Sequence, residues 1–377
     1  MNSHALPPDP DTLLYRMAFA SLRGINFILA REFLARLGSE RDFFEASESS
    51  LSSMTGGTRS RLFSRSYRDE VLDAARRELD FVAANSIATI YHTDSRYPSR
   101  LLEADDAPLM LYGLGNADLN PPASIAIVGT RHATPYGTAF VDALIKRLAQ
   151  RMAIKPLIVS GLAFGIDIAA HRAALREGLP TAAVLAHGLN TIYPAQHRTT
   201  AVEIARSEGM LLTDYRSCDP IHKGNFLARN RIVAGLVDCL IVVESAAKGG
   251  ALITARIADS YSRDVFAVPG RLGDKFSAGC NKLIARSRAH LITGADDLIE
   301  AMQWPVREEE TAQLSLFPEL SPADQAIIDL LSERGEARPA EIALALGQPI
   351  GKIMAALVDL EFKGRAIAFP GGLYRPA

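Results

Sequence analysis

Apolar residues recur at three- and four-residue spacing through most of residues 11–110, the period of helices with one buried face. The runs DTLLYRMAFASL, NFILAREFLARL and YRDEVLDAARRELDFVAANS carry it most clearly. Leu22-Arg23-Gly24-Ile25 lies between the first two as a short glycine-centred turn. Such a turn occurs in helix-hairpin-helix and SAM-like modules, where it can touch DNA phosphates, and equally as an ordinary connection between two helices. Residues 1–90 are therefore expected to form a helical, SAM-like domain. The stretch DSRYPSRLLEADDAPLMLYGLGNADLNPPA follows, and its prolines and glycines make 91–122 read as a connector.

From Ser124 the period changes. Short apolar runs, SIAIVG, PLIVSG, TAAVLA, MLLTDY, DCLIVVE, DVFAVPG and HLIT, alternate with amphipathic helical stretches. Strands that are apolar without alternation have both faces covered, which indicates a parallel sheet. The repeated strand–helix order predicts an α/β, doubly wound, Rossmann-like domain with a mostly parallel sheet, spanning 91–303 with its connector. Residues 304–320, beginning at Trp304-Pro305 and rich in acids, read as a linker. In 321–377, Ser321 and Pro322 are suited to the N-cap and first position of a helix. Ala340–Leu346 and Ile350–Phe362 then resemble a helix-turn-helix, and Ala366–Phe369 with Leu373–Arg375 supply a wing. The outline is that of a winged-helix-like domain.

Composition narrows the functional classes. The 377 residues carry 41 Lys and Arg against 43 Asp and Glu, so any polyanion site must be a local patch. With 48% apolar and 22% charged residues, extensive disorder is not expected. No apolar run reaches membrane-spanning length, and the start MNSHALPPDPDT has neither a basic stretch nor an apolar core, so no membrane segment or secretory signal is expected. Three scattered cysteines suit a reducing cytoplasm and exclude a disulfide scaffold or a cysteine zinc site. Between His222 and His290, however, eleven bases face five acids. Residues 321–377 hold six bases against seven acids, poor equipment for a major-groove reader. A protein-contact or dimer module fits them better.

In an open α/β sheet, ligands bind beyond the carboxyl ends of the strands. That rule selects the loops at Gly129-Thr130-Arg131, Ser160-Gly161-Leu162-Ala163, His187-Gly188-Leu189, 214–231 and 244–252. None carries the dinucleotide fingerprint or the Walker cradle. Lys248-Gly249-Gly250-Ala251-Leu252 places flexible backbone ahead of a helix, where amide groups favour a phosphate, though a plain tight turn would look the same. Lys223, Phe226 and Arg229, with Asn225 among them, open another helix. Cations for phosphates beside a ring for a base are minimal equipment for single-stranded nucleic acid. Phe226 taken alone reads equally as a core residue. Asp167 and His171 lie four residues apart on one helix face. Without a nucleophile or third ligand beside them, they are expected to be a surface pair that orients a loop. Glu244 follows a strand, where a carboxylate could meet a ribose hydroxyl.

Taken together, the motifs resemble one family. Ile125-Ala126-Ile127-Val128-Gly129-Thr130-Arg131 with Pro135-Tyr136-Gly137 is similar to its V-G-[ST]-R…YG segment. Ser160 to His171 resembles S-G-x-A-x-G-I-D-x-x-A-H, and Lys223 to Gly235 resembles F-x-x-R-N-R-I-I-A-G. Val268-Pro269-Gly270 and Gly279-Cys280-Asn281-Lys282-Leu283-Ile284 match V-P-G and G-x-N-x-L-I. The family is that of DNA-processing protein A (DprA, or Smf), and the agreement spans roughly residues 90–300. The resemblance implies a protein that binds single-stranded DNA without catalysis, cofactor or metal. It also implies a homodimer that protects incoming DNA and loads RecA recombinase during natural transformation, with single-strand-binding protein as a further partner. The DNA-binding positions it implies are Arg131, Lys223 and Phe226, with Gly161, Asn225, Arg229 and Lys248. Gly249 departs from the family, which more often has Ser there, and so does Leu227, where Pro is common.

Two other classes compete. Nucleotide-phosphate hydrolases of the lysine-decarboxylase-like group share a similar sheet and a Gly-Gly loop, but their catalytic Glu has no counterpart in Lys248–Thr254. A pure protein-interaction scaffold, acting through the C-terminal module, is the other alternative.

Overall fold

The computed structural model describes residues 9–56, 60–307 and 320–377. The chain divides into two compact units, Met1–Arg307 and Glu308–Ala377. The linker expected at 304–320 lies mostly outside the described residues.

The first unit opens with helices α1 (Pro10–Ala20), α2 (Phe27–Leu37), α3 (Glu40–Glu45), α4 (Glu48–Met54) and α5 (Arg65–Ala84). Caps fix their starts: Asp9, Asn26, Ser39 and Ser47 each accept a hydrogen bond from a first-turn amide through the side chain. Phe19, Phe33 and Phe43 pack edge to face at the centre of this bundle. Arg68 is buried beneath them and donates to the carbonyls of Phe43, Phe44 and Ala46.

Next come β1 (Ala88–Tyr91), α6 (Ser99–Leu102) and β2 (Met110–Gly115). Strands and helices then alternate as β3 (Ser124–Val128), α7 (Pro135–Arg151), β4 (Leu157–Ser160), α8 (Ile166–Arg176), β5 (Thr181–Val184), α9 (Arg198–Arg206) and β6 (Met210–Thr213). The unit finishes with α10 (Lys223–Gly235), β7 (Cys239–Val242), α11 (Ala251–Ser260), β8 (Asp264–Ala267), α12 (Ala278–Ala285), β9 (His290–Leu291) and α13 (Ala295–Met302). One sheet results, in the order β1-β2-β6-β5-β4-β3-β7-β8-β9. The pairs from β6 through to β9 are parallel, as the unbroken apolar runs predict, while β2 joins β6 and β1 joins β2 antiparallel.

The division at 90/91 and the connector at 91–122 need correction. β1 runs across that boundary, and β2 is a full member of the sheet, with Met110, Leu111 and Tyr112 buried. One continuous apolar core joins Phe19 and Phe33 of the helical bundle to Ile90, Leu111, Leu212 and Leu240 of the sheet. The N-terminal helices are thus packed into the α/β unit rather than set apart from it.

Chain order places the crevice. From β3 the chain builds outward through β4, β5 and β6, then returns past β3 to lay down β7, β8 and β9 on its other side. The switch point between β3 and β7 is where loops diverge and leave room for a ligand.

The second unit has α14 (Pro322–Arg334), α15 (Pro339–Leu346), α16 (Ile350–Phe362) and the antiparallel hairpin β10 (Ala366–Phe369) and β11 (Leu373–Pro376). Ser321 caps α14 by accepting from the Asp324 amide at 3.1 Å. Ile327, Leu331, Ile342, Ile353, Leu357 and Leu360 form a separate core. The arrangement is a winged helix. Among the described residues no single helix is long and apolar enough to cross a membrane.

Candidate nucleic-acid interface

At the switch point a cavity of about 340 Å³ opens between the loops after β3, β4 and β7 and one face of α10. Arg131, Gly161, Phe226 and Arg229 all line it. Phe226 is half-buried on the first turn of α10. Its ring lies beneath the guanidinium of Arg131, 5.5 Å from centroid to Cζ, and meets the ring of Tyr193 edge-on at 5.6 Å. Arg131 is exposed and has no ion-pair partner among the described residues, so its charge is available at the mouth. The ring is thus half-buried at the cavity wall with a cation over one face.

Lys223 begins α10, where His222 provides no side-chain cap. Exposed and unpaired among the described residues, it stands at the helix N-terminus, whose dipole favours an anion. Lys248 is likewise exposed, on the loop between β7 and α11. Gly249 and Gly250 reach the cavity wall, while Lys248 stands outside it. A side chain at position 249 would run into Ser245 Oγ, so Gly249 and the buried Ser245 divide the space between them. Ser245 also lines the cavity, and its hydroxyl donates to the Ala246 carbonyl at 3.1 Å.

Arg229 and Asn225 play a different part. Asn225 is buried, and its amide donates to the carbonyls of Ala186 and Pro220 at 3.2 and 3.0 Å, on the side of α10 away from the cavity. Arg229 is 5% exposed and donates to the Gly161 carbonyl at 2.7 Å and to that of Val184. Burial pulls its pKa down against the attraction of Asp167. Its two bonds to carbonyls tie the ends of β4 and β5 together. Gly161 fits the same picture, since any Cβ there would overlap that guanidinium.

The pair Asp167 and His171 is buried rather than on the surface. Asp167 receives hydrogen bonds from the Gly161 and Ala163 amides, which does orient the loop, and burial raises its pKa above the usual carboxylate range. His171 Nδ1 lies 2.7 Å from the Thr181 hydroxyl, and burial lowers its pKa to about 3, so it is neutral. Glu244 is not free for a ribose. It accepts from the Thr134 amide and hydroxyl at 2.9 and 2.5 Å, tying the start of α7 to the end of β7. His187 and His197 are buried as well; Nε2 of His187 accepts the Tyr193 amide at 3.1 Å and so sets the loop that carries the Tyr193 ring. Among the described residues no group of His, Cys, Asp and Glu could hold a metal.

Comparison with known proteins decides the family. The chain matches the DNA recombination-mediator protein A family over residues 88–303 and the DprA winged helix domain over residues 309–372. Protein Smf of Escherichia coli K12 is 35% identical over 283 residues, 74% of this chain and 75% of that protein. The chain belongs to the DprA/Smf family. The DprA of Streptococcus pneumoniae R6 is 39% identical over 211 residues, 56% of this chain and 73% of that one. Among solved structures, that of DprA from Streptococcus pneumoniae superposes with a TM-score of 0.64 at 31% identity, covering 76% of this chain and 96% of the other. DprA from Helicobacter pylori, described for its single-stranded DNA binding mode, gives 0.51 at 32% identity, covering 58% and 95%.

Within this family frame, the structure brings together four of the seven sequence-derived positions in one cavity. Tyr193, outside the cavity lining, meets the Phe226 ring unannounced: it lies in a loop of no regular period, and only the fold carries it there.

Proposed function

We propose that this DprA-family protein binds single-stranded DNA at the β3–β7 switch point, without catalysis. The observation that carries the reading is the Arg131 guanidinium over the half-buried Phe226 ring, next to the free Lys223 at the head of α10. A splayed base stacks on the ring beside Tyr193 while its phosphates meet Lys223 and Arg131. A nucleophile, metal cluster or free carboxylate is not needed for that, and the buried Asp167, His171 and Glu244 are occupied by structural hydrogen bonds.

Family membership supports the rest of the reading. The protein acts in the cytoplasm as a homodimer, protects incoming DNA during natural transformation, and loads RecA recombinase onto it past single-strand-binding protein. Titrating labelled single-stranded and blunt duplex oligonucleotides of equal length against the full chain tests the site. Tighter single-strand binding with no release of nucleotide is expected, because a stacked pair must be opened before a base can reach Phe226. Equal affinity for the duplex, or turnover of the oligonucleotide, contradicts it.

A further inference from the structure

A second cavity, about 580 Å³, adjoins the first along the loop that follows β4. Arg131 and His132 line both, so the two spaces meet at those residues. The backbones are in contact there as well. Gly165 takes φ +77°, and a Cβ at that position would overlap the Thr130 carbonyl and the backbone of Arg131. The Ile166 amide donates to the same carbonyl at 3.2 Å. These contacts hold Phe164, the residue ahead of Gly165, beside Arg131.

This second cavity is equipped for a base and a phosphate. Phe164 is 42% exposed, and its ring meets the buried His197 edge-on at 4.7 Å. Ile168, in the first turn of α8, adds apolar wall. Arg172, one turn further along that helix, is exposed and also lines the cavity. Its Nε donates to the Thr200 hydroxyl at 3.4 Å, and no carboxylate pairs with it among the described residues. Asp142 of α7 is taken up by Arg176, one turn beyond Arg172, at 2.6 Å. The charged side chains lining the cavity are therefore Arg131 and Arg172, with no carboxylate among them. The cavity on the other side of α10, which Asn225 faces, has no such excess: Arg23, Arg216 and Arg231 are matched there by Asp106, Asp214 and Asp219.

We propose that Phe164 and Arg172 hold the nucleotide next to the one on Phe226. Its base stacks on the exposed Phe164 ring, Arg131 meets the phosphate between the two bases, and Arg172 meets the phosphate beyond. The inference rests on the single-strand reading of the Phe226 site and extends it across Arg131, the residue both cavities share. A ring between two unpaired guanidiniums repeats the pairing of stacking surface and cation that single strands require.

The experiment compares two labelled strands of equal length on the full chain at low salt: an oligothymidylate, and the same deoxyribose-phosphate backbone without bases. Phe164→Ala should weaken the oligothymidylate roughly ten-fold, the size of a lost base–aromatic stack, and leave the abasic strand nearly unchanged. Phe164→Tyr, which keeps a ring, should bind like the parent. Arg172→Ala should weaken both strands several-fold and lower the slope of log K against log salt by about 0.7, the single-strand value per phosphate. Arg172→Glu should deepen that loss. Thermal melts set the folded fraction in which each affinity is read. An unchanged oligothymidylate affinity in Phe164→Ala, an equal loss on both strands, or a loss in Phe164→Tyr as large as in Phe164→Ala overturns the stacking. No effect of Arg172→Glu on either strand overturns the phosphate contact. In all those cases a loss in Phe226→Ala leaves the first site standing. Failure of the parent protein to bind the oligothymidylate overturns both the extension and the single-strand reading beneath it.

Discussion

The carboxyl edge of the sheet and the outward face of α16 both belong to folds that touch nucleic acid, yet they are furnished in opposite ways. At the sheet edge the buried Asn225, Arg229 and Glu244 are held by protein partners, while Arg131, Lys223 and Lys248 stand exposed. On α16 the exposed face is apolar, with Ile350 at 55%, Val358 at 56% and Phe362 at 95% exposure. Lys352 on this helix and Lys363 at its C-cap are accompanied by Asp359 and Glu361, and Lys363 pairs with Asp359. A winged helix without surplus cations has little with which to hold phosphate. The two regions differ in where unpaired charge is left exposed, which fold class alone does not reveal.

The comparison breaks most readily at the sheet edge. Replacing Arg131 and Lys223 together by Ala should give the largest loss of single-strand affinity, alike for all sequences, and lower the slope of log K against log salt by about 1.4, two single-strand phosphates' worth. An unchanged slope in salt titrations would place both cations away from the backbone. Gly161→Ala comes next. The added Cβ meets the Arg229 guanidinium, which cannot retreat without giving up the Gly161 and Val184 carbonyls. Overpacking of this kind costs roughly 1–3 kcal/mol. Chemical denaturation checks the stability, and oligonucleotide titration should show weaker binding in the folded fraction.

His171 probes the buried layer beneath the site. Its folded pKa, about 3, lies below the unfolded value of 6.5, so the unfolded chain binds a proton that the native state refuses. Its contribution is therefore present above pH 6.5 and is lost as pH falls from there toward 3, at up to about 1.4 kcal/mol per pH unit. Asp167, with its raised pKa, works in the opposite direction, stabilising the native state as pH falls. The test is the difference in pH dependence of unfolding between the parent and His171→Gln: the variant should show a shallower acid loss. The smallest effect is expected from removing residues 321–377, whose core is separate. Single-strand affinity should stay within a few-fold, and a large loss would make the winged helix a DNA reader after all.

Strands β3 to β8 are legible in the sequence because both their faces are largely covered, and the apolar runs cannot be mistaken for surface. β2 is not, because MLYGLG sits among prolines and ends on glycines that look like a loop. Gly115 is needed there at φ +127°, where a side chain would collide with the Gly209 carbonyl. Motifs locate the candidate site, but the sequence does not separate contact from support. Arg131 and Arg229 look equivalent in a motif, and only packing shows one exposed above a ring and the other 5% exposed against two carbonyls. Asn225 and Phe226 are adjacent in sequence and face different cavities.

The central claim is that Phe226 serves as a platform for a base, and Phe226→Ala measured for both stability and binding tests it most directly. The account predicts a loss of about 1–3 kcal/mol of single-strand affinity, the usual worth of base–aromatic stacking, with the melting temperature nearly unchanged. A fall in stability of roughly 3–5 kcal/mol, as expected of a truncated core aromatic, with affinity intact in the folded fraction, would contradict it.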